Sequence, residues 1–306
     1  MIILIMFNFI GKGGVGKTTS AALSAISLSN KGKTLVVSLD PAHNLGDVLG
    51  VELSEEPKRI APGLWASEPD VDKIIREYAK NISEEFKQHY KYLRVLNLDK
   101  VFDVLEHTPG VEEQALLQKL MELKNTDFDY VVVDNAPTGI ALRVLLLPQI
   151  MLTWMNYLLK LRKDIVKRRE IVEEKKVHDP VLELLEKEIQ ELEEFDKYLK
   201  SKHHKVILVL NAEEMPVLEA IRIKDTLNKF SMKPCAVIVN KLIIQDTSDP
   251  TLVSMKESQQ KWLKKIHEEF KDMQIVKLPY LPVPPKGVER LRELAKEYLG
   301  EGICKV

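Results

Sequence analysis

Short continuous apolar runs alternate with helical patterns along this chain. Residues 2–9 (IILIMFNF), 34–39 (TLVVSL), 130–133 (YVVV), 206–210 (VILVL), 236–239 (AVIV) and 275–278 (IVKL) each read as a strand. Their apolar positions are consecutive rather than alternate, as in a parallel strand covered by helices on both faces. Residues 18–30, rich in Ala and Ser, read as a helix after the first run. Strand–helix alternation of this kind predicts an α/β fold with a mostly parallel sheet.

Two stretches break the alternation. Residues 69–124 carry helical spacing and no convincing strand, with Thr108 placed to cap one helix and Pro109 at its first position. Residues 144–159 are strongly apolar but include Pro148, Gln149, Thr153 and Asn156, which favours a buried or groove-lining helix over a membrane span. The charged stretch 162–176 reads as a solvated face or connector. Leu182, Leu185, Ile189, Leu192 and Phe195 then recur at spacings of three and four, an amphipathic helix. The expectation is one domain with an inserted helical subdomain built from about residues 69–124 and 148–203.

Composition narrows the class. The chain has 306 residues, of which 45% are apolar and 30% charged, an ordinary globular balance. Lys and Arg number 45 against 46 Asp and Glu, so no bulk charge points to nucleic acid. Cys235 and Cys304 stand far apart and form no C-x-x-C pair, so neither a disulfide framework nor a cysteine zinc site is expected, and the compartment reads as reducing and cytoplasmic. The apolar N-terminus lacks the basic flank and cleavage site of a secretion signal and reads as the first strand.

The candidate chemistry begins where that strand ends. Gly11-Lys12-Gly13-Gly14-Val15-Gly16-Lys17-Thr18 fits G-x-x-x-x-G-K-[ST] between a strand and a helix. Glycines let successive backbone N–H groups face phosphate oxygens, and the following helix turns its positive end to the same anion. Lys17 brings a full charge to the β- and γ-phosphates, Thr18 a hydroxyl to Mg2+, and Thr19 reaches the α-phosphate. Asp40 and Asp134 each follow a strand's C-terminal end, the ligand side of an open α/β sheet. Order and spacing assign Asp40 to the attacking water and Asp134 to the metal shell, through water. His43, alone in its motif, reads as structural.

The strings KGGVGKTT (residues 12–19), DPAHNLGD (40–47) and DNAPTG (134–139) resemble the arsenical pump-driving ATPase family, which includes the cytosolic ATPases that target tail-anchored membrane proteins. The resemblance runs along nearly the whole chain. It implies a P-loop ATPase that binds ATP and Mg2+ at the interface of a homodimer, with Lys12 reaching the partner's phosphates. It also implies nucleotide contacts at Glu213, across the dimer, at Asn240, and at the loop carrying Pro279 and Pro282. The sequence departs from the family at Asn135 and Ile140, where Thr and His are usual, and in lacking the zinc-binding cysteine pair.

Three functions follow from the resemblance. The first is a chaperone for hydrophobic tail segments, whose groove would draw on Leu116, Leu117, Leu120, Met121 and Leu123 and on Ile150, Met151, Trp154, Met155, Leu158 and Leu159. Methionine suits a promiscuous apolar surface. Such a protein meets the membrane only through its client or a receptor. The second is the ATPase subunit of an arsenite or anion pump, which the missing cysteines weaken. The third is a positioning or partitioning switch.

Overall fold

The computed structural model describes residues 4–42, 44–89, 108–246, 248–300 and 302–304, so His43 lies outside the described residues. Strand β1 (Ile5–Ile10) leads through the glycine-rich loop into α1 (Lys17–Leu28). Then come β2 (Thr34–Ser38), α2 (Leu45–Leu49), β3 (Lys58–Ala61), β4 (Leu64–Ser67), α3 (Val71–His89) and α4 (Val111–Lys124). Next are β5 (Tyr130–Asp134), α5 (Thr138–Glu173), α6 (Pro180–Leu199), β6 (His204–Asn211) and α7 (Glu214–Lys229). The chain closes with β7 (Pro234–Leu242), α8 (Pro250–Glu269), β8 (Gln274–Pro279) and α9 (Val288–Tyr298).

The strands form one eight-stranded sheet in the order β3-β4-β2-β5-β1-β6-β7-β8. Every pairing is parallel except β3 with β4. β1 lies between β5 and β6, with Phe9 beside Asp134 in one register and Ile207 in the other. Side chains alternate across the sheet. Met6, Ile10, Val131, Val133, Leu208 and Leu210 pack on one face with residues of α4 to α8. Phe7, Phe9, Val132, Ile207 and Val209 pack on the other with α1 and α9. The central strands are thus buried on both sides, and this accounts for their uninterrupted apolar runs.

Helices α5 and α6 form a hairpin. Asp179 caps α6 by accepting from Leu182 N at 2.9 Å, and Pro180 takes the first position, where no N–H is needed. Arg162 of α5 grips the same carboxylate with two bonds, Nε to Oδ1 at 3.1 Å and Nη2 to Oδ2 at 2.7 Å, so the cap also ties the helices together.

The structure revises several expectations. Gly110, at φ 96°, is the N-cap of α4, which starts at Val111; Thr108 and Pro109 lie in the preceding turn. The apolar helix starts at Thr138 rather than near Pro148, because tertiary packing carries the helix through the proline. It also runs through the charged stretch to Glu173, stabilised there by the Arg169–Glu173 pair. β3 and β4 were not expected from the apolar pattern. They form a hairpin of two four-residue strands with β3 at the sheet edge; its turn holds Gly63 at φ 71°, where a Cβ would lie 2.4 Å from Ser29 O. The Pro62-Gly63 pair was their only sequence signal.

The cysteines are also corrected. Cys235, near the start of β7, and Cys304, beyond α9, form a disulfide with Cα atoms 5.6 Å apart. Sequence distance is no guide here, because α9 packs back over the face that β7 lines. The cysteines therefore give no support to a reducing compartment.

The disulfide spans 69 residues, which a loop-closure estimate values at about 4 kcal/mol. Replacing both cysteines by serine is expected to lower the unfolding free energy by about 2–4 kcal/mol, read from urea titrations. Reductant should then shift the wild type but not the variant.

Candidate functional site

The glycine-rich loop is shaped by how closely its backbone approaches the neighbouring strands. A Cβ on Gly11 would lie 2.1 Å from Val209 O of β6. One on Gly16, at φ 95°, would lie 2.2 Å from Asn240 Nδ2 at the end of β7. Gly14 also has positive φ, at 78°. Asn240 Nδ2 donates to Val15 O at 2.8 Å, and Lys241 Nζ donates to Gly14 O at 2.8 Å, so β7 holds the loop from one side. Lys241 adopts φ 57°, a left-handed conformation rare outside glycine. Gln259 of α8 braces it, donating to Lys241 O and accepting from Ile243 N, both at 2.9 Å.

The loop borders a cavity of about 750 Å³. Gly13, Gly14, Gly16, Lys17, Thr18 and Thr19 line one part of it, together with Asp40. Asn240, Pro279 and Pro282 line another. Lys241, Tyr280, Leu294 and Tyr298 also line the cavity. Leu294 and Tyr298 belong to α9, whose amphipathic pattern signals a packed helix and nothing about a ligand. Gly11 is buried and lines neither this cavity nor the separate one of about 380 Å³ beside it, which Lys12, Val15 and Glu213 line.

Lys17 is buried, and its Nζ lies 3.6 Å from Asp40 Oδ2. Asp40 Oδ1 accepts from Ala42 N at 3.0 Å, which orders the start of the following turn. That turn leads to α2, whose Leu45 and Gly46 N–H groups donate to Glu68 Oε1 and Oε2 at 2.7 and 3.3 Å. A carboxylate at a helix N-terminus satisfies orphan donors and complements the dipole. Glu68 lies just past β4, and the pairing of β4 with β2 brings it there.

Asp134 is fully buried. Ser38 Oγ donates to its Oδ2 at 3.3 Å, and the nearby Thr18 hydroxyl favours its ionised form. Its Oδ1 has no hydrogen-bond partner. Burial pushes its pKa up to about 6, against the opposing pull of Thr18 and Lys17. A buried hard oxygen without a partner, beside a threonine hydroxyl and an exposed phosphate-type loop, suits a small divalent cation. Among the described residues, no group of three or more His, Cys, Asp or Glu side chains gathers elsewhere to hold a metal.

Comparison with known proteins agrees with this geometry. A family model for anion-transporting ATPases matches residues 4–300. The putative arsenical pump-driving ATPase 2 of Aquifex aeolicus is 30% identical over 95% of this chain and 98% of its own length. ATPase get3 of Schizosaccharomyces pombe is 28% identical over 94% of this chain and 88% of its own length. The ATPase ASNA1 homolog of Dictyostelium discoideum is 30% identical over 92% and 85% respectively.

The buried carboxylate has a measurable cost. Its folded pKa of about 6 lies above the ordinary aspartate value of 3.8, so the native state holds this proton more tightly than the unfolded chain. Stability from this group is full below pH 3.8 and is lost as pH rises through about 6. The loss at neutral pH is about 3 kcal/mol. Asp134→Asn should therefore raise the thermal midpoint at pH 8 in chelator, with the gain vanishing near pH 4. Paired melting curves at the two pH values check this.

Proposed function

The chain belongs to the anion-transporting ATPase family and hydrolyses ATP, and on that footing we propose a nucleotide-gated targeting factor for membrane proteins. It holds the hydrophobic tail segments of tail-anchored clients in the cytoplasm and releases them at the membrane. ATP lies with its phosphates along Gly11–Thr19 and its base toward Asn240, Pro279 and Pro282. Lys17 neutralises charge on the β- and γ-phosphates. Thr18 and Asp134 are the residues for a Mg2+ ion, whose charge offsets that of the phosphates. Asp40 orients and deprotonates the attacking water. Catalysis of this kind is positioning and charge stabilisation, with little covalent chemistry asked of the protein.

Lys12 acts on the nucleotide of a second copy in a homodimer. What supports this is its place: it lines the smaller cavity with Glu213 and not the one containing Lys17. Glu213 and Lys12 thereby form one surface beside the loop, suited to a partner's phosphates and ribose.

One observation carries the client reading. Along α5, Ile150, Trp154, Tyr157, Leu158, Leu161 and Ile165 are all exposed, Trp154 by 67%. Only 33% of the helix's most apolar stretch is buried. The opposite side of α5, with Leu145, Leu146 and Met155, is core. A monomeric soluble surface rarely leaves such a run uncovered, and its aliphatic and aromatic side chains suit an apolar helix. The structure revises the expected groove. Leu116, Leu117, Leu120 and Leu123 of α4 and Met155 of α5 are buried in the core, and Met151 and Leu159 pack against it, so the exposed face holds no methionine of the expected set.

The alternative, the subunit of an arsenite pump, has the relatives' names behind it. The chain's two cysteines are bonded to each other, however, leaving no thiolate for a metalloid. Arsenite is accordingly expected to leave the ATPase rate unchanged, and stimulation by arsenite would favour the pump.

Two outcomes are expected of variants. Asp40→Asn should lower kcat by about 100-fold or more while still binding ATP, and should retain client proteins in a pull-down. Wild-type turnover by this variant would remove Asp40 from the reaction. Trp154→Glu combined with Leu158→Glu should abolish retention of a hydrophobic tail helix in the ATP state, with circular dichroism unchanged. Undiminished capture would move the client site elsewhere.

A further inference from the structure

A run of buried polar side chains crosses the core on the sheet face that carries the helical hairpin. Asn8 in β1, Asn135 after β5 and His204 at the start of β6 are all buried, with exposures of 0%, 5% and 6%. Asn135 Nδ2 donates to Asn8 Oδ1 at 3.0 Å. It also faces Phe9 O at 3.1 Å and Val133 O at 3.3 Å. Asn8 Nδ2 lies 2.9 Å from His204 Nε2, and His204 Nδ1 lies 2.8 Å from Leu199 O.

The directions of these bonds are determined. An amide nitrogen only donates and a carbonyl only accepts. His204 must therefore accept at Nε2 and donate at Nδ1, which is a neutral imidazole in one tautomer. Burial holds its pKa down to about 4, consistent with that form. The chain of donors runs one way from Asn135 to Asn8, and again from His204 to Leu199. The amide of Asn8 joins the two halves.

The ends of this run matter most. Phe9 O belongs to the strand that becomes the phosphate loop, and Val133 O immediately precedes Asp134. Asn135 thus holds together the two strand ends that carry the loop and the buried carboxylate. Residues 135–137 lead directly into α5, while Leu199 is the last residue of α6. Its carbonyl is among those a helix end leaves without an internal partner. Both ends of the α5–α6 hairpin therefore meet the same polar run.

We propose that Asn135 is a positioning residue for ATP hydrolysis, and that Asn8 and His204 couple its position to the C-terminal end of α6. A movement of the phosphate loop or of Asp134 displaces Asn135. Asn8 Nδ2 and His204 Nδ1 each have a single partner, so the displacement is passed on rather than absorbed by water. Leucine packing elsewhere on this face has no such directional constraint. The proposal stands on ATP turnover alone and does not depend on which client the chain binds.

The test uses the full chain in three variants, measured at a temperature where circular dichroism shows each folded. His204→Leu keeps the side chain's bulk but removes both bonds. His204→Gln can still accept from Asn8 and donate to Leu199. Asn135→Thr keeps a hydroxyl for a strand carbonyl but is too short to reach Asn8. Steady-state ATPase kinetics are read beside hydrogen exchange of residues 197–204, with and without a non-hydrolysable ATP analogue. His204→Leu should lose about tenfold in kcat with KM within about twofold, and its exchange should no longer respond to the analogue. His204→Gln should restore both readouts. Equal losses in the two His204 variants would indicate packing alone and overturn the proposal, as would wild-type behaviour in His204→Leu. Should His204→Leu fail to fold, Asn135→Thr carries the same expectation, and wild-type kcat and exchange response in it would overturn the proposal equally.

Discussion

The nucleotide site depends first on how near one stretch of backbone can come to two strands. At Gly11 and Gly16 the space for a side chain is taken up by Val209 O and Asn240 Nδ2. Only glycine allows that approach. It lets Asn240 and Lys241 hold the loop through Val15 O and Gly14 O from the outside. Any residue with a Cβ at either position would push the loop off β6 or β7 and misplace Lys17 and Thr18 with it.

A second constraint is electrostatic. Asp134 lies at the end of a central strand with apolar sheet on both sides, where water cannot reach it. Two hydroxyls and the nearby Lys17 ammonium only partly offset the loss of solvent. One of its oxygens remains without a partner. Such a group costs stability in the free protein and gains a use when a cation is close. Lys17 is in a comparable position, buried and paired with Asp40 at 3.6 Å. Two buried ionisable side chains, Lys17 and Asp134, thus stand at one end of the central strands.

The hairpin of α5 and α6 joins this site to the exposed apolar face. One side of α5 is anchored in the core by Leu145, Leu146 and Met155, and the other presents Trp154 and Leu158 to solvent. The bidentate bond of Arg162 to the Asp179 cap stiffens the hairpin at its far end. Its near ends adjoin Asn135 and His204. A helix apolar on two sides needs two partners, and this chain supplies one of them. The other face is left exposed to solvent.

Sequence alone determined the parts whose physics is local. The apolar runs followed from strands buried on both faces, and the glycine spacing, Lys17 and Thr18 from the needs of a phosphate. Asp40 and Asp134 were legible because they directly follow strand ends. Tertiary structure decided what depends on distant returns of the chain. Only it could pair Cys235 with Cys304, place Glu68 on α2 and bring α9 against the nucleotide cavity. It alone separated the core leucines of α4 from the exposed face of α5, since periodicity records that a face is apolar but not what covers it. The continuation of α5 through Pro148 belongs to the same class, because packing against the sheet outweighs a local preference that points the other way.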